Sequence, residues 1–155
     1  MPGKLLVFGA GFTGSRLVAA LQAEGWQAAG TSRSGENGML LFEDGGRLAG
    51  EALAGVTHVV ASVPPGGDGD PVLNAHAGDL ARSETLVWAG YLSTTGVYGD
   101  HGGAWVDELS ETRPTAERSK RRLAAEMAWT EWGKAAGIPV HSCRLAGIAG
   151  PGRNA

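Results

Sequence analysis

Apolar residues in this 155-residue chain fall into short runs separated by glycine-rich segments. The first run, residues 5–8, is unbroken and is typical of a strand buried on both faces. Beyond it, Leu17, Val18 and Leu21 recur at helical spacing and predict a helix that ends near Gly25. The chain is therefore predicted to begin with a strand that is followed by a helix.

The same alternation continues to the end of the chain. Further strands are predicted at 27–31, 38–42, 56–63, 86–93 and 138–145. A helix is predicted at 70–82, because Asp70 and Pro71 form an N-cap and first turn, and another at 115–133 with Thr115 as its cap. Alternating strands and helices predict an α/β fold with a parallel sheet, right-handed crossovers and ligands at the carboxyl ends of the strands.

The turn between the first strand and the first helix has the spacing G-x-G-x-x-G, with Phe12 and Thr13 inside it. Gly9 permits the tight turn, Gly11 lets the backbone approach a pyrophosphate, and Gly14 lets helix and strand pack closely. We therefore predict a dinucleotide site in this segment, on a Rossmann-type doubly wound parallel sheet of about six strands in the order 3-2-1-4-5-6. The alternative is a glycine-rich turn that binds nothing.

Composition narrows the class of protein further. The chain is 43% hydrophobic and 19% charged with a net charge of −3, which argues against nucleic acid as a partner. No apolar run is long enough to cross a bilayer, and residues 1–4 leave no room for a signal peptide, so we expect a cytoplasmic protein. The single cysteine, Cys143, is expected in the core, and His58, His76 and His141 have no metal-like spacing, so no metal is predicted.

The end of the second predicted strand bears on the choice of nucleotide. It has the sequence T-S-R-S from Thr31 onward, with no acidic residue before Glu36 to hold a ribose 2′-hydroxyl. Arg33 would instead pair with a 2′-phosphate, so NADP is favoured and NAD is the other option. The alternative is that Arg33 is a solvated surface residue. Ser62, near the end of the fourth predicted strand, is a further candidate contact to the cofactor.

Two later segments point to a family. Residues 91–100 contain Y-L-S-T-T-G-V-Y-G-D, and residues 144–152 contain R-L-A-G-I-A-G-P-G. With the N-terminal glycine motif, they resemble the extended short-chain dehydrogenases/reductases, the NAD-dependent epimerase/dehydratase group. The resemblance implies an NAD(P)-binding oxidoreductase or epimerase that acts on a nucleotide sugar or another small carbonyl or hydroxyl substrate.

The resemblance also assigns candidate catalytic residues. It implies that Thr94 hydrogen-bonds the reacting oxygen, although this hydroxyl could instead satisfy loop backbone groups. The family's Tyr-x-x-x-Lys pair falls on Arg118 and Arg122, and arginine is a poor general acid or base. Arg122 could still bind ribose hydroxyls or a phosphate, or both arginines could form a solvated helix surface. Tyr98 and His101 are the other candidate proton donors.

Two functions therefore remain open: an NADP-dependent enzyme, or a module that binds NADP(H) without turnover. Members of the family continue into a smaller C-terminal lobe that supplies most substrate contacts. Residues 1–155 are thus expected to form one dinucleotide-binding domain without that lobe, either as a fragment or because the lobe has been lost. Helices 70–82 and 115–133 correspond to those that pair in family dimers, so the resemblance implies a homodimer.

Overall fold

The computed structural model describes residues 2–43 and 46–153. Six strands alternate with four helices and one 3₁₀ turn. In chain order they are β1 (Lys4–Phe8), α1 (Phe12–Ala23), β2 (Gln27–Ser32), β3 (Leu40–Leu41), α2 (Gly50–Leu53), β4 (His58–Ala61), α3 (Pro71–Ala81), β5 (Trp88–Thr94), the 3₁₀ turn (Thr95–Val97), α4 (Glu117–Ala136) and β6 (Val140–Leu145).

The strands form one parallel sheet in the order β3-β2-β1-β4-β5-β6, which confirms the predicted α/β Rossmann-type topology. Leu6 of β1 pairs with Ala29 of β2 on one side and with Val59 of β4 on the other. The chain therefore reverses its direction of winding at β1. In such sheets a crevice opens at this point, beyond the carboxyl ends of the strands.

Side chains alternate between two cores on the two faces of the sheet. Leu6 and Phe8 belong to the larger core, which α3 and α4 cover, and Trp129 of α4 is fully buried there. Leu5 and Val7 belong to the smaller core, which α1 covers. Because both faces of β1 are buried, residues 5–8 of this strand are continuously apolar, as a central parallel strand requires.

Several helix and strand boundaries differ from the predicted ones. The Oδ1 atom of Asp70 accepts hydrogen bonds from two amides of α3, as expected of an N-cap. Thr115 does not cap α4, which begins at Glu117 and makes no side-chain cap hydrogen bond. That helix instead ends at Gly137, whose φ of +69° terminates it in the left-handed conformation. The one-turn helix α2 lacked a periodic signal in the sequence, since four residues are too few to show one.

The prediction that Cys143 lies in the core was wrong. β6 is an edge strand, and Cys143 is exposed on it. It pairs with Leu92 on the sheet face that α1 covers, but α1 packs on β1 and β2 at the other end of that face. The segment around Cys143 therefore forms an exposed strand, because the burial of a strand depends on which helix packs on it.

Within the residues described, no helix is both long and apolar enough to cross a bilayer. In the same part of the chain, no group of three or more His, Cys, Asp or Glu side chains converges as metal ligands would.

Candidate functional site

The turn after β1 has a conformation that only glycine accommodates easily. Gly9 has a φ of +77°, and a Cβ atom there would lie 2.9 Å from Cγ2 of Val63. The amide of Gly9 donates to Oγ1 of Thr31 at 3.0 Å, and the amide of Ala10 donates to the carbonyl oxygen of Thr31 at 2.8 Å. Thr31 of β2, which sequence analysis did not assign to the site, therefore fixes the position of the turn.

The other two glycines of the motif have different roles. A Cβ atom on Gly14 would lie 2.9 Å from Cγ1 of Val7, so Gly14 allows α1 to pack closely on β1. A Cβ atom on Gly11 would meet no protein atom within 4 Å. Gly11 has a φ of −73° and a ψ of −148°, and packing within the described residues does not require glycine there. The open space beside Gly11 is where a bound ligand would need it.

The N-terminus of α1 is available to an anion. No side chain caps it, and its first turn contains no acidic residue. The amides of Phe12, Thr13 and Gly14 donate to no acceptor among the residues described. Unpaired amides and the positive end of the helix dipole together favour binding of a negatively charged group.

These amides open into a cavity of about 700 Å³, here called the glycine-loop cavity. It is lined by Gly9, Ala10, Gly11, Phe12, Thr13, Thr31, Ser32, Arg33, Phe42, Ser62, Val63, Pro64, Arg122, Ile148 and Arg153. Every cofactor-binding residue predicted from the sequence lines it except Gly14, whose contact is with β1. Among the described residues its lining contains three arginines and no carboxylate, so these residues present positive charge.

Arg153 was missed because it lies in a turn rather than in a recognised motif. The amide and carbonyl groups of Gly150 and Arg153 hydrogen-bond reciprocally at 2.8 and 2.9 Å around Pro151 and Gly152. Arg16 of α1 donates to the carbonyl oxygen of Pro151 at 2.8 Å and holds this turn against the helix. The Pro-Gly dipeptide was the available signal, because it favours a tight turn that places its flanking residues.

A second cavity of about 370 Å³, here called the arginine cavity, adjoins the first. Its lining residues are Pro64, Pro65, Ser93, Thr94, Arg118, Arg122, Leu145, Ala146, Ile148 and Arg153. Pro64, Arg122, Ile148 and Arg153 line both cavities. The structure thus brings Thr94, Arg118 and Arg122 together beside the glycine loop.

Tyr98 lies apart from both linings. Its side chain is buried, and the guanidinium of Arg144 lies 4.8 Å from the centre of its ring. Arg144 also makes a buried ion pair with Glu126 at 2.9 Å, and these hydrogen bonds raise the pKa of Arg144. His101 is only half-buried, and its Nε2 atom lies 3.1 Å from the carbonyl oxygen of Glu111.

Arg122 is held from beneath the cavities. Its Nη1 atom donates to the carbonyl oxygen of Leu92 at 2.7 Å and to the Tyr91 hydroxyl at 3.3 Å.

Burial raises the pKa of Tyr91 to about 12, although the charge of Arg122 opposes that change. Burial also raises the pKa of Asp70, against the effect of backbone amides and of Arg122. Neither Tyr91 nor Asp70 lines a cavity.

The chemical consequence concerns proton transfer. The ionisable side chains that line the two cavities are Arg33, Arg118, Arg122 and Arg153. Arginine stays protonated at any working pH and so cannot exchange a proton efficiently. The lining hydroxyls include Thr94, which caps the 3₁₀ turn by accepting from the amide of Gly96 at 3.1 Å and keeps its own proton to donate.

Comparison with solved structures places this geometry among known folds. The chain is 44% identical to a conserved protein of unknown function from Silicibacter pomeroyi, with a TM-score of 0.86 over 97% of this chain and 55% of that one. A UDP-glucuronic acid 4-epimerase from Bacillus cereus, solved with NAD, is 21% identical with a TM-score of 0.77, covering 95% of this chain and 57% of that one. No protein-family model matches the sequence, and no curated protein matches it.

A nucleoside-diphosphate sugar epimerase from Corynebacterium glutamicum is also similar, at 22% identity and a TM-score of 0.73, over 93% of this chain and 34% of that one. At such identities the two epimerases show the fold alone. The chain spans about half the length of the Silicibacter and Bacillus proteins and a third of the Corynebacterium protein. The likeness therefore concerns only part of each of these proteins.

Proposed function

We propose that this chain binds a nicotinamide dinucleotide in the glycine-loop cavity, as an epimerase- or dehydratase-like oxidoreductase of the extended short-chain type. One observation carries the proposal. The open space beside Gly11 coincides with the unpaired amides of Phe12 and Thr13 at the start of α1. Nothing within the described protein accounts for both, whereas a bound pyrophosphate would account for both.

The residues present fit the group. The amides at the start of α1 would hold the pyrophosphate, and Phe42 and Val63 supply apolar walls on either side of the loop. Ser62, at the end of β4, is placed to contact the cofactor near the point where β1 and β4 diverge. The cavity is large enough for a cofactor site, since such sites range from about 300 to 1,000 Å³.

NADP is the favoured form. Arg33 follows directly on β2 and lines the cavity, and no acidic side chain of the described residues lines it. An acidic residue would bind a ribose 2′-hydroxyl and repel a 2′-phosphate, whereas a guanidinium pairs with the phosphate. The choice rests on this local charge, because similar structures such as the Bacillus cereus epimerase are complexes with NAD.

When bound, the nicotinamide supplies a hydride donor or acceptor. Thr94 would orient the substrate oxygen beside it, and a nucleotide sugar or another small carbonyl or hydroxyl compound is the proposed substrate. The second candidate function is a sensor that binds NADP(H) without turnover. It is favoured by the arginine side chains of the lining, because Arg118 and Arg122 stand where the family carries its tyrosine and lysine.

The first experiment is a fluorescence titration of the wild-type chain with NADPH and with NADH. Saturable binding with a preference for NADPH supports the proposal. Binding of neither coenzyme would overturn it.

A second experiment separates enzyme from sensor by testing Arg118→Tyr with Arg122→Lys for consumption of NADPH on a panel of small carbonyl compounds. Turnover that appears only in this double variant would identify the natural chain as a sensor. The matched control is Arg121→Tyr with Arg122→Lys, which places the new phenol three residues further along α4, outside both cavity linings.

A further inference from the structure

The arginine cavity contains more positive charge than dinucleotide binding requires. Three guanidinium groups, those of Arg118, Arg122 and Arg153, line a space of about 370 Å³, and no carboxylate of the described residues shares that lining. Arg118 makes no ion pair with any described residue, whereas Arg121, three residues further along α4, pairs with Glu117 at 3.2 Å. The described residues that line this cavity therefore bring positive charge and no negative charge to it.

The nearest buried carboxylate does not change this conclusion. Asp70 interacts electrostatically with Arg122, but its side chain is 3% exposed and lies outside the cavity lining. Its Oδ1 atom is already engaged by the amides of Val72 and Leu73. Asp70 thus offsets part of the charge of Arg122, and Arg118 has no counterion among the described residues.

An independent observation comes from β5. Ser93 lines the arginine cavity, its side chain is 6% exposed, and its Oγ atom is buried without a hydrogen-bond partner among the residues described. Buried polar groups are normally paired, because leaving one unpaired costs free energy. Thr94, the next residue, also lines the cavity and has a hydroxyl proton to donate. Two hydroxyls and three guanidiniums form a donor set that matches the oxygens of an anion.

We propose that the arginine cavity binds the anionic group, a carboxylate or a phosphate, of a small substrate, with Arg118 as the residue that selects for it. The substrate assignment rests on the proposed function, since it places this group next to the dinucleotide. Arg118, Ser93 and Thr94 line the arginine cavity and not the glycine-loop cavity. Replacement of the family's tyrosine by arginine would then exchange a proton-transfer group for an anion-binding one.

The test uses calorimetric titration of the coenzyme-free chain with malonate and, separately, with inorganic phosphate at constant ionic strength. Arg118→Gln should weaken binding of the preferred anion by about tenfold or more, because a charge-assisted hydrogen bond is lost. The matched control is Arg121→Gln, which removes the same charge from the exposed face of α4 and should leave binding unchanged. Whichever of malonate and phosphate binds with the higher affinity identifies the class of anion.

Titration of the Gly11→Val variant with the same anion tests which of the two cavities binds it. Binding that survives this variant but is weakened by Arg118→Gln supports the arginine cavity. Binding that is lost in Gly11→Val and retained in Arg118→Gln would overturn the proposal, as would equal loss in Arg118→Gln and Arg121→Gln. Absence of saturable binding of either anion to the wild-type chain would also overturn it.

An NADPH titration of the same variants distinguishes a failure of the anion-binding proposal from a failure of the proposed function. Arg118→Gln should leave NADPH affinity within about twofold of wild type, because Arg118 does not line the glycine-loop cavity. Anion binding that depends on Arg118 in a chain that binds no NADPH would contradict the proposed function and the assignment of the anion as its substrate. NADPH binding without anion binding would contradict this inference alone.

Discussion

Two regions that face the same crevice, the turn after β1 and the start of α4, are built from different chemistry. The turn offers backbone amides whose positions are fixed by Gly9, by Thr31 and by the packing of Gly14 on β1. The start of α4 offers the long side chains of Arg118 and Arg122. Backbone donors depend only on the path of the chain, whereas side-chain donors change with a single substitution.

This difference separates binding from chemistry. A site for phosphates needs a conformation, and the turn has it. Proton transfer needs a group that titrates near the working pH, and the side chains at the start of α4 do not. The amides of the turn can therefore be kept while the chemistry at the start of α4 changes.

The largest expected effect concerns the ion pair that joins α4 to β6. The buried carboxylate of Glu126 pairs with the partly buried guanidinium of Arg144 at 2.9 Å, and removing one partner leaves the other charge uncompensated. Glu126→Ala should lower the free energy of unfolding by about 3 kcal/mol in urea denaturation. The matched control is Glu131→Ala on the same helix, whose pair with Lys134 is exposed and should contribute nothing measurable. Equal stability of the two variants would show that α4 does not depend on this pair.

The next effect tests the turn directly. Gly11→Val places a branched side chain in the open space beside the free amides, so NADPH affinity should fall by about a hundredfold or more. The melting temperature should stay close to wild type, because a Cβ atom at this position meets no described protein atom within 4 Å. Gly50→Val is the control: its Cβ also points into open space, but Gly50 lies outside the glycine-loop cavity. Unchanged affinity in Gly11→Val would mean that the turn binds no pyrophosphate.

A smaller effect separates the two coenzymes. Arg33→Ala removes a guanidinium that would pair with the 2′-phosphate, so NADPH affinity should fall by about tenfold while NADH affinity stays the same. Arg113→Ala, which removes an exposed arginine outside both cavities, should change neither affinity. An equal loss of affinity for NADPH and NADH in Arg33→Ala would show a general electrostatic effect and contradict recognition of the 2′-phosphate.

Much of this fold follows from local sequence, and the site follows only in part. The strand order and the glycine loop were predictable because apolar runs and glycine spacing are local signals of parallel strands and tight turns. The exposure of Cys143, the role of Thr31 and the contribution of Arg153 depend on which distant segments meet. Such long-range contacts produce no periodic pattern in the sequence from which they could be predicted. Tyr98 shows the same limit, since its neighbour Thr94 lines the arginine cavity and Tyr98 packs against Arg144 instead.

The smallest effect tests whether Tyr91 could replace the missing proton donor at α4. Its phenol is neutral when protonated, and burial raises its pKa from an ordinary 10 to about 12. The contribution of the raised pKa to stability is therefore complete below pH 10 and is lost as the pH rises toward 12. Tyr91→Phe should cost about 1 kcal/mol at neutral pH through the lost hydrogen bond with Arg122.

The same variant should also reduce the fall in stability between pH 10 and pH 12, as measured by urea denaturation across that range. Titration of phenolate absorbance provides the independent readout, because the chain contains only two tyrosines and Tyr98→Phe leaves Tyr91 alone. Ionisation of Tyr91 near neutral pH would make it a competent acid or base beside Arg122, and the contrast between the two regions would then disappear. Ionisation near pH 12 leaves proton transfer at the start of α4 without a side chain to perform it.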